Sequence, residues 1–168
     1  ECGRAKFSLQ VMPIEDYPDL PTLPTLAGKV DGQAFSQAVS QVAIATSKDD
    51  TLPLLTGVRV EIDGSRITLL ATDRYRLALR ELEWNPESPS FSTEFLVKAR
   101  VLNDVARNLG SGGPVDVSLT QGGATERAAI IGFSAGERQA TSSLMDGDYP
   151  PVRKLFPEVT PMEYVCSR

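Results

Sequence analysis

The chain has 168 residues, 41% of them hydrophobic and 23% charged, a balance that excludes a disordered or fibrous protein and allows one domain of ordinary size with extra material. Seventeen Lys and Arg against 22 Asp and Glu leave a net charge of −5, which excludes a protein that coats nucleic acid by charge alone but permits a local basic surface. Histidine is absent, removing the commonest general base and the commonest metal ligand together, which weighs against enzyme chemistry.

No apolar run approaches the ~20 residues that span a bilayer, and "ECGRAKFSLQ" has none of the organisation of a signal peptide, so the expected location is cytoplasmic. Cys2 and Cys166 sit at opposite ends and read as two reduced thiols, without metal or disulfide spacing.

In chain order, residues 1–11 read as a strand, with Phe7, Leu9 and Val11 alternating against Lys6, Ser8 and Gln10. The stretch from Met12 to Thr25 holds Pro13, Pro18, Pro21 and Pro24, each denying a backbone donor and extending its predecessor, which predicts a linker. From Gly28 the pattern becomes helical: Asp31 can cap the start, and Phe35, Ala38, Val39 and Val42 fall at i, i+3, i+4 and i+7. The outer face of this helix carries Gln33, Ser36, Gln37, Ser40 and Gln41, polar but uncharged where a surface helix usually carries ion pairs.

Beyond "TSKDDTLPLLTG", Val58, Val60 and Ile62 alternate with charged residues up to Asp63-Gly64, a strong hairpin signal. A second turn at "ATDR" leads into Tyr75, Leu77 and Leu79, which alternate with Arg74, Arg76, Ala78 and Arg80 and complete a three-strand meander. The basic side of this strand reads either as a solvated face or as a binding surface. "NPESPS" breaks the chain, and the order begins again with a strand at Phe95 to Lys98 and a helix whose Leu102, Val105, Ala106 and Leu109 repeat the apolar quartet. Gly110 to Pro114 stops that helix, and "VDVSLTQ", "ERAAIIGFS" and "RQATSSLM" supply another meander.

The expected fold is therefore α+β: a βαβββ unit occurring twice, with two helices packed on antiparallel sheet. Phe35 and Leu102, which open the two quartets, are 67 residues apart, about half the 132 residues between Asp16 and Asp148 in the two copies of Asp-Tyr-Pro. A half-domain repeat sits inside a domain-sized one, and "VTPMEYVCSR" at the end reads as the first strand of a further copy, so both ends look cut from a longer array. "GSGGP" follows a helix instead of opening one and lacks a GK[ST] ending, so it reads as a helix stop and not a phosphate loop. Asp146 and Asp148 flank Gly147 without a third acid at a calcium-loop position, and read as turn chemistry. Asp49-Asp50 reads as a solvated loop tip.

The order and spacing of "FSLQVMPIEDYPDLP", "TGVRVEI", "ATDRYRLALRE" and "LMDGDYPPVRKLFP" resemble the bacterial DNA polymerase III beta subunits, the sliding clamps, across nearly the whole chain. The proline-rich tail after the first Asp-Tyr-Pro is similar to the actinobacterial members. The resemblance implies a DNA-clamp fold, in which three like domains make a protomer and two protomers join head to tail in a ring around DNA. It would make residues 1–24 the last strand and linker of a preceding domain, 25–157 a complete middle domain, and 158–168 the first strand of the next. By itself such a fragment would be monomeric.

By the same resemblance the function is that of a non-catalytic processivity factor, without cofactor or metal, that encircles duplex DNA without regard to sequence. It would dock polymerase, clamp loader and repair proteins through short linear peptides. The implied peptide pocket comprises Leu55, Thr72, Arg74, Tyr75, Arg76, Leu77, Pro150, Lys154 and Leu155, with Lys154 standing where many members have arginine and offering no planar fork. With the helices lining the ring, Lys48, Lys98, Arg100 and Arg107 become the candidates for facing DNA, and ordinary surface charge remains the alternative for each. A competing reading of another class is an α+β domain, enzymatic or ligand-binding, that holds an anionic small molecule on the arginine-rich strand.

Overall fold

The computed structural model describes residues 3–4, 7–19, 21–110, 112–120 and 129–156. Two βαβββ units lie in succession. The first comprises β1 (Thr25–Asp31), α1 (Gly32–Ala43), β2 (Gly57–Asp63), β3 (Arg66–Thr72) and β4 (Leu77–Pro86). The second comprises β5 (Ser92–Lys98), α2 (Ala99–Leu109), β6 (Pro114–Leu119), β7 (Ile130–Ala135) and β8 (Arg138–Ser143). The 67-residue offset of the apolar quartets recurs in the first strands, which begin at Thr25 and Ser92, and in the helices, which begin at Gly32 and Ala99.

Antiparallel pairing joins all eight strands in the order β5-β2-β3-β4-β1-β6-β7-β8. The halves meet where β1 pairs with β4, with Val30 opposite Trp84. At the far edges a single bridge between Leu96 and Met145 brings the last strand's exit back to β5, with the Met145 N–H donating to the Leu96 carbonyl at 2.8 Å. The expected hairpin forms at Asp63-Gly64, where Gly64 takes φ +55, a left-handed geometry that glycine adopts without steric cost.

Strand alternation sends one side chain in two toward the helices. Val58, Val60 and Ile62 of β2 and Ile67, Leu69 and Ala71 of β3 point inward, joining Phe35, Val39 and Val42 of α1 and Leu102, Val105 and Leu109 of α2 in the main core. Phe35 lies 5.8 Å, centroid to centroid, from Phe133 of β7, so the first helix is tied to the second sheet half. Burying each such large side chain stabilises the fold by roughly 1.5–3 kcal/mol.

The start of α1 is fixed by Asp31, whose Oδ1 accepts the Ala34 N–H at 2.8 Å. Its first residue, Gly32, lies against the end of α2: a Cβ there would stand 2.3 Å from the Gly113 carbonyl oxygen and 2.9 Å from that of Gly110. Those neighbours are backbone atoms of another element, so the helices approach this closely only because the side chain is missing.

Two expectations at the ends fare differently. Residues 7–11 belong to no strand, and Phe7, Leu9 and Val11 are exposed; a strand needs a ladder partner and an apolar face to lie on, and none of the described strands supplies one. The expected strand at 158–168, and residues 126–128 of the one before Ile130, lie outside the described residues. Among its described residues the linker has one 3-10 turn, Ile14–Asp16, before β1 begins at Thr25.

Gly32→Ala is expected to lower unfolding free energy by about 1–3 kcal/mol, the ordinary cost of overpacking, as read from the midpoint and slope of urea denaturation.

Candidate functional site

The face of β5-β2-β3-β4 turned away from the helices holds a second, smaller apolar cluster. Leu55, Leu70, Leu96, Tyr149 and Val152 are buried in it, with Leu52, Leu54, Leu77, Leu79, Met145 and Phe156 packed around them. It exists because the chain, after leaving β8, turns back across this outer face. Gly147, at φ +134, makes the bend, and a Cβ there would stand 2.7 Å from Cδ2 of Leu54. Tyr149 then drops into the cluster at 7% exposure, and its hydroxyl oxygen accepts the Thr72 N–H at 3.0 Å. Burial pushes the Tyr149 hydroxyl above the ordinary phenol range, opposed by that hydrogen bond and by the Arg59 charge. A 3-10 turn, Val152–Leu155, ends the segment with Val152 inward and Lys154 and Leu155 outward; Leu155 is 71% exposed.

The second element is the connection between β3 and β4. Sequence periodicity places Arg74, Tyr75 and Arg76 on a strand; the structure places them in a tight turn, so no comb of three arginines forms. The reason is local hydrogen bonding. Asp73 Oδ1 accepts the N–H groups of Tyr75 at 3.0 Å and Arg76 at 2.7 Å, while its Oδ2 accepts Arg76 Nε at 2.9 Å and Nη2 at 2.8 Å. Thr72 Oγ1 donates to the Arg76 carbonyl at 2.7 Å and accepts the Arg74 N–H at 3.1 Å. The Arg76 and Tyr75 hydrogen bonds hold the Asp73 carboxyl at about 2, well below its ordinary 3.8. Arg74 takes φ 80, a conformation uncommon outside glycine, and its guanidinium carbon lies 6.0 Å from the ring centroid of Tyr75, which is 89% exposed. Of the arginines read as one strand face, only Arg80 lies in β4, exposed, while Leu77 and Leu79 join the outer cluster.

Most of the residues singled out for a peptide pocket are thus gathered on one face. Leu55 and Leu77 belong to the outer cluster, Thr72 is bonded to Tyr149, and Arg74, Tyr75 and Arg76 form an adjoining turn. Pro150 and Lys154 line a cavity of about 280 Å³ with Leu70, Val152 and Arg59. Leu155 stands exposed beside Lys154. Sequence reasoning left out Tyr149, Leu70, Leu96 and Val152, the buried floor of the site. The repeated Asp-Tyr-Pro was the available signal, but Tyr17 of the first copy is 63% exposed, so the motif alone does not say which tyrosine is buried.

The four basic residues assigned to DNA lie elsewhere. Arg100 and Arg107 project from α2, Lys98 ends β5 at the start of that helix, and Lys48 is in the loop after α1; all four are exposed and none enters an ion pair among the described residues. Arg107 faces Gln33, Ser36, Gln37 and Ser40 across an interhelical groove of about 730 Å³. The uncharged helix face and the apolar outer site therefore occupy opposite sides of the sheet. Among the described residues no three of His, Cys, Asp and Glu gather to hold a metal ion, and no helix is long and apolar enough to cross a membrane.

A duplicated βαβββ unit with paired helices on one side of antiparallel sheet is the architecture of a DNA-clamp domain. Residues 29–151 match the family described as DNA polymerase III beta subunit, central domain, and the chain belongs to that family. It is 55% identical to the beta sliding clamp of Micrococcus luteus over 99% of this chain and 52% of that protein. To the beta sliding clamp of Streptomyces coelicolor it is 49% identical, over 93% of this chain and 41% of the other. The crystal structure of the DNA polymerase sliding clamp from Bacillus subtilis superposes with a TM-score of 0.78 at 28% identity, covering 94% of this chain and 40% of that one. The chain spans about half the length, or less, of these relatives.

The turn and its floor generate two expected outcomes. Tyr149→Phe leaves the buried Thr72 N–H without an acceptor and is expected to cost about 1–3 kcal/mol in urea denaturation. Because Asp73 titrates lower in the folded chain than its ordinary value, its contribution is complete above pH 4 and is lost as pH falls through about 2. The Tyr75 and Arg76 amide resonances should shift over that range, and Asp73→Asn should abolish the step.

Proposed function

We propose that this chain is the middle domain, with flanking segments, of a replication sliding clamp. The whole protein would be a non-catalytic processivity factor, a head-to-tail homodimeric ring around duplex DNA that docks polymerase, clamp loader and repair proteins. Residues 1–24 would then close a preceding domain, 25–157 form the middle domain, and 158–168 begin the next. Its place in the cell would be the cytoplasm, at the nucleoid.

The observation that carries the docking reading is the convergence, on one outer face, of the Thr72–Leu77 turn, Leu55 and the exit segment, residues 144–156, which leaves β8. The apolar members are suited to a peptide's hydrophobic anchors, and Arg74, Tyr75, Arg76 and Lys154 to fixing its register at the rim. Leu155, exposed here, is available as one wall. The mechanism is topological: tethering a polymerase to a ring raises its effective concentration at the primer end and needs no chemistry from the clamp.

The helix side supports the DNA reading. Gln33, Ser36, Gln37, Ser40 and Gln41 offer hydrogen bonds without fixed charge, which suits water-mediated contact with a duplex that must slide. Lys48, Lys98, Arg100 and Arg107 would supply the sequence-independent attraction to phosphate.

In fluorescence anisotropy a labelled peptide carrying a polymerase's clamp-binding segment is expected to bind this chain weakly and the whole clamp more tightly. Failure of both to bind would overturn the pocket. The 168-residue chain is also expected to be monomeric in sedimentation and to wash off circular DNA. Retention on circles that is lost on linearisation would contradict its being one domain of a ring.

A further inference from the structure

The segment that carries Lys154 and Leu155 is held to the sheet by more than apolar contact. Cross-strand register aligns Glu94 of β5 opposite Glu61 of β2, Glu61 opposite Thr68 of β3, and Thr68 opposite Glu81 of β4. Three carboxylates in one row across four strands repel one another, an arrangement that disfavours the sheet unless cations are placed among them. Arg59 answers one side of the row, its Nη2 2.6 Å from Glu94 Oε2 and its Nε 2.9 Å from Glu61 Oε1, the latter contact too bent for a hydrogen bond.

The other side is answered from outside the sheet. Arg153 donates through Nη1 to Glu61 Oε2, and its Nη2 lies 3.7 Å from Glu81 Oε1, so one guanidinium bridges β2 and β4 over the buried Thr68. Arg66 Nη1, 4.0 Å from Glu81 Oε1, ends an alternating chain of six side chains. A single exposed ion pair contributes little, but a connected network with a planar donor fork bridging two acceptors is the exception. Arg153 is also the residue immediately before Lys154, in the Val152–Leu155 turn, which is anchored by Val152 within it and by Phe156 just after it.

We infer that Arg153 is a positioning residue for the peptide pocket: through Glu61 and Glu81 it latches the exit segment to the sheet and so sets where Lys154 and Leu155 stand. The inference rests on the pocket reading above for its functional half. It assigns to the acidic row a purpose that folding alone does not require, since the same positions with neutral side chains would need no cation from the exit segment.

The test uses the 168-residue chain and two readouts. In hydrogen–deuterium exchange, Arg153→Ala and the pair Glu61→Gln/Glu81→Gln are each expected to speed exchange of the amides of residues 152–156 at least threefold. Arg153→Lys should fall between wild type and Ala, and Arg153→Ala added to the double Gln variant should change nothing further. Affinity for the labelled clamp-binding peptide is expected to fall about threefold with the same pattern across variants. Unchanged exchange in Arg153→Ala overturns the latch. Faster exchange with unchanged affinity overturns the positioning role. A fall in affinity that Arg153→Ala produces equally in the double Gln background overturns it too, because the guanidinium is then touching the peptide directly. Failure of both the wild-type chain and the whole clamp to bind the peptide, while exchange responds as expected, overturns the pocket reading and leaves the latch standing.

Discussion

The outer site depends on one buried hydrogen bond, from the Thr72 N–H to the Tyr149 hydroxyl oxygen, 77 residues apart in sequence. Thr72 ends β3, where the ladder gives way to the Asp73 turn, so its N–H needs an acceptor that the sheet does not provide. Tyr149 provides it from the exit segment, and its ring fills the space beside Leu70 and Leu96. The same contact holds the turn at one end and the exit segment at the other. An unpaired amide at that depth costs about as much as the bond contributes and more, so the two elements are stable together and not separately.

This contact also explains how a duplicated fold acquires one site and not two. The halves are alike through their strands and helices, with the same 67-residue offset in β1 and β5 and in α1 and α2. They differ in the course the chain takes on leaving the final strand of each half. After β4 the chain passes through a short loop into β5, whereas after β8 it runs back over the outer face of the first half. The exit segment thus covers the outer face of the first half, while on the second half it is the linker, through Leu23 and Pro24, that comes against the outer face at Gly132.

The regular parts were legible in the sequence because they derive from periodicity. The two apolar quartets, the Asp31 cap and the Asp63-Gly64 hairpin each rest on interactions a few residues apart, and each forms. The Arg74–Arg76 stretch misled for an instructive reason: alternation of arginine with Tyr75 and Leu77 mimics a strand, but the Asp73 carboxylate offers the backbone a better set of hydrogen bonds than a ladder would. The floor of the site was not legible at all. Nothing local distinguishes buried Tyr149 from exposed Tyr17, since each stands in Asp-Tyr-Pro and only the fold decides which has a Thr72 to reach. Where resemblance supplied residues, it named those around the outer cluster and passed over Arg153, whose contacts are with Glu61 and Glu81.

Charge is distributed between the two faces in a way the net value conceals. Glu61, Glu81 and Glu94 lie on the outer side, where Arg59, Arg153 and Arg66 answer them, and the exposed basic residues Arg100 and Arg107 lie on the helix side with Asp104. A helix layer and a sheet together are about 10 Å or more thick, while the Debye length at physiological salt is about 8 Å. The outer carboxylates are therefore largely screened from anything passing the helices, and a chain of net charge −5 can still present a face that does not repel a polyanion. The acidic row, paired with Arg59, Arg153 and Arg66 on one side of the sheet, thus does not set the charge of the helix face on the other.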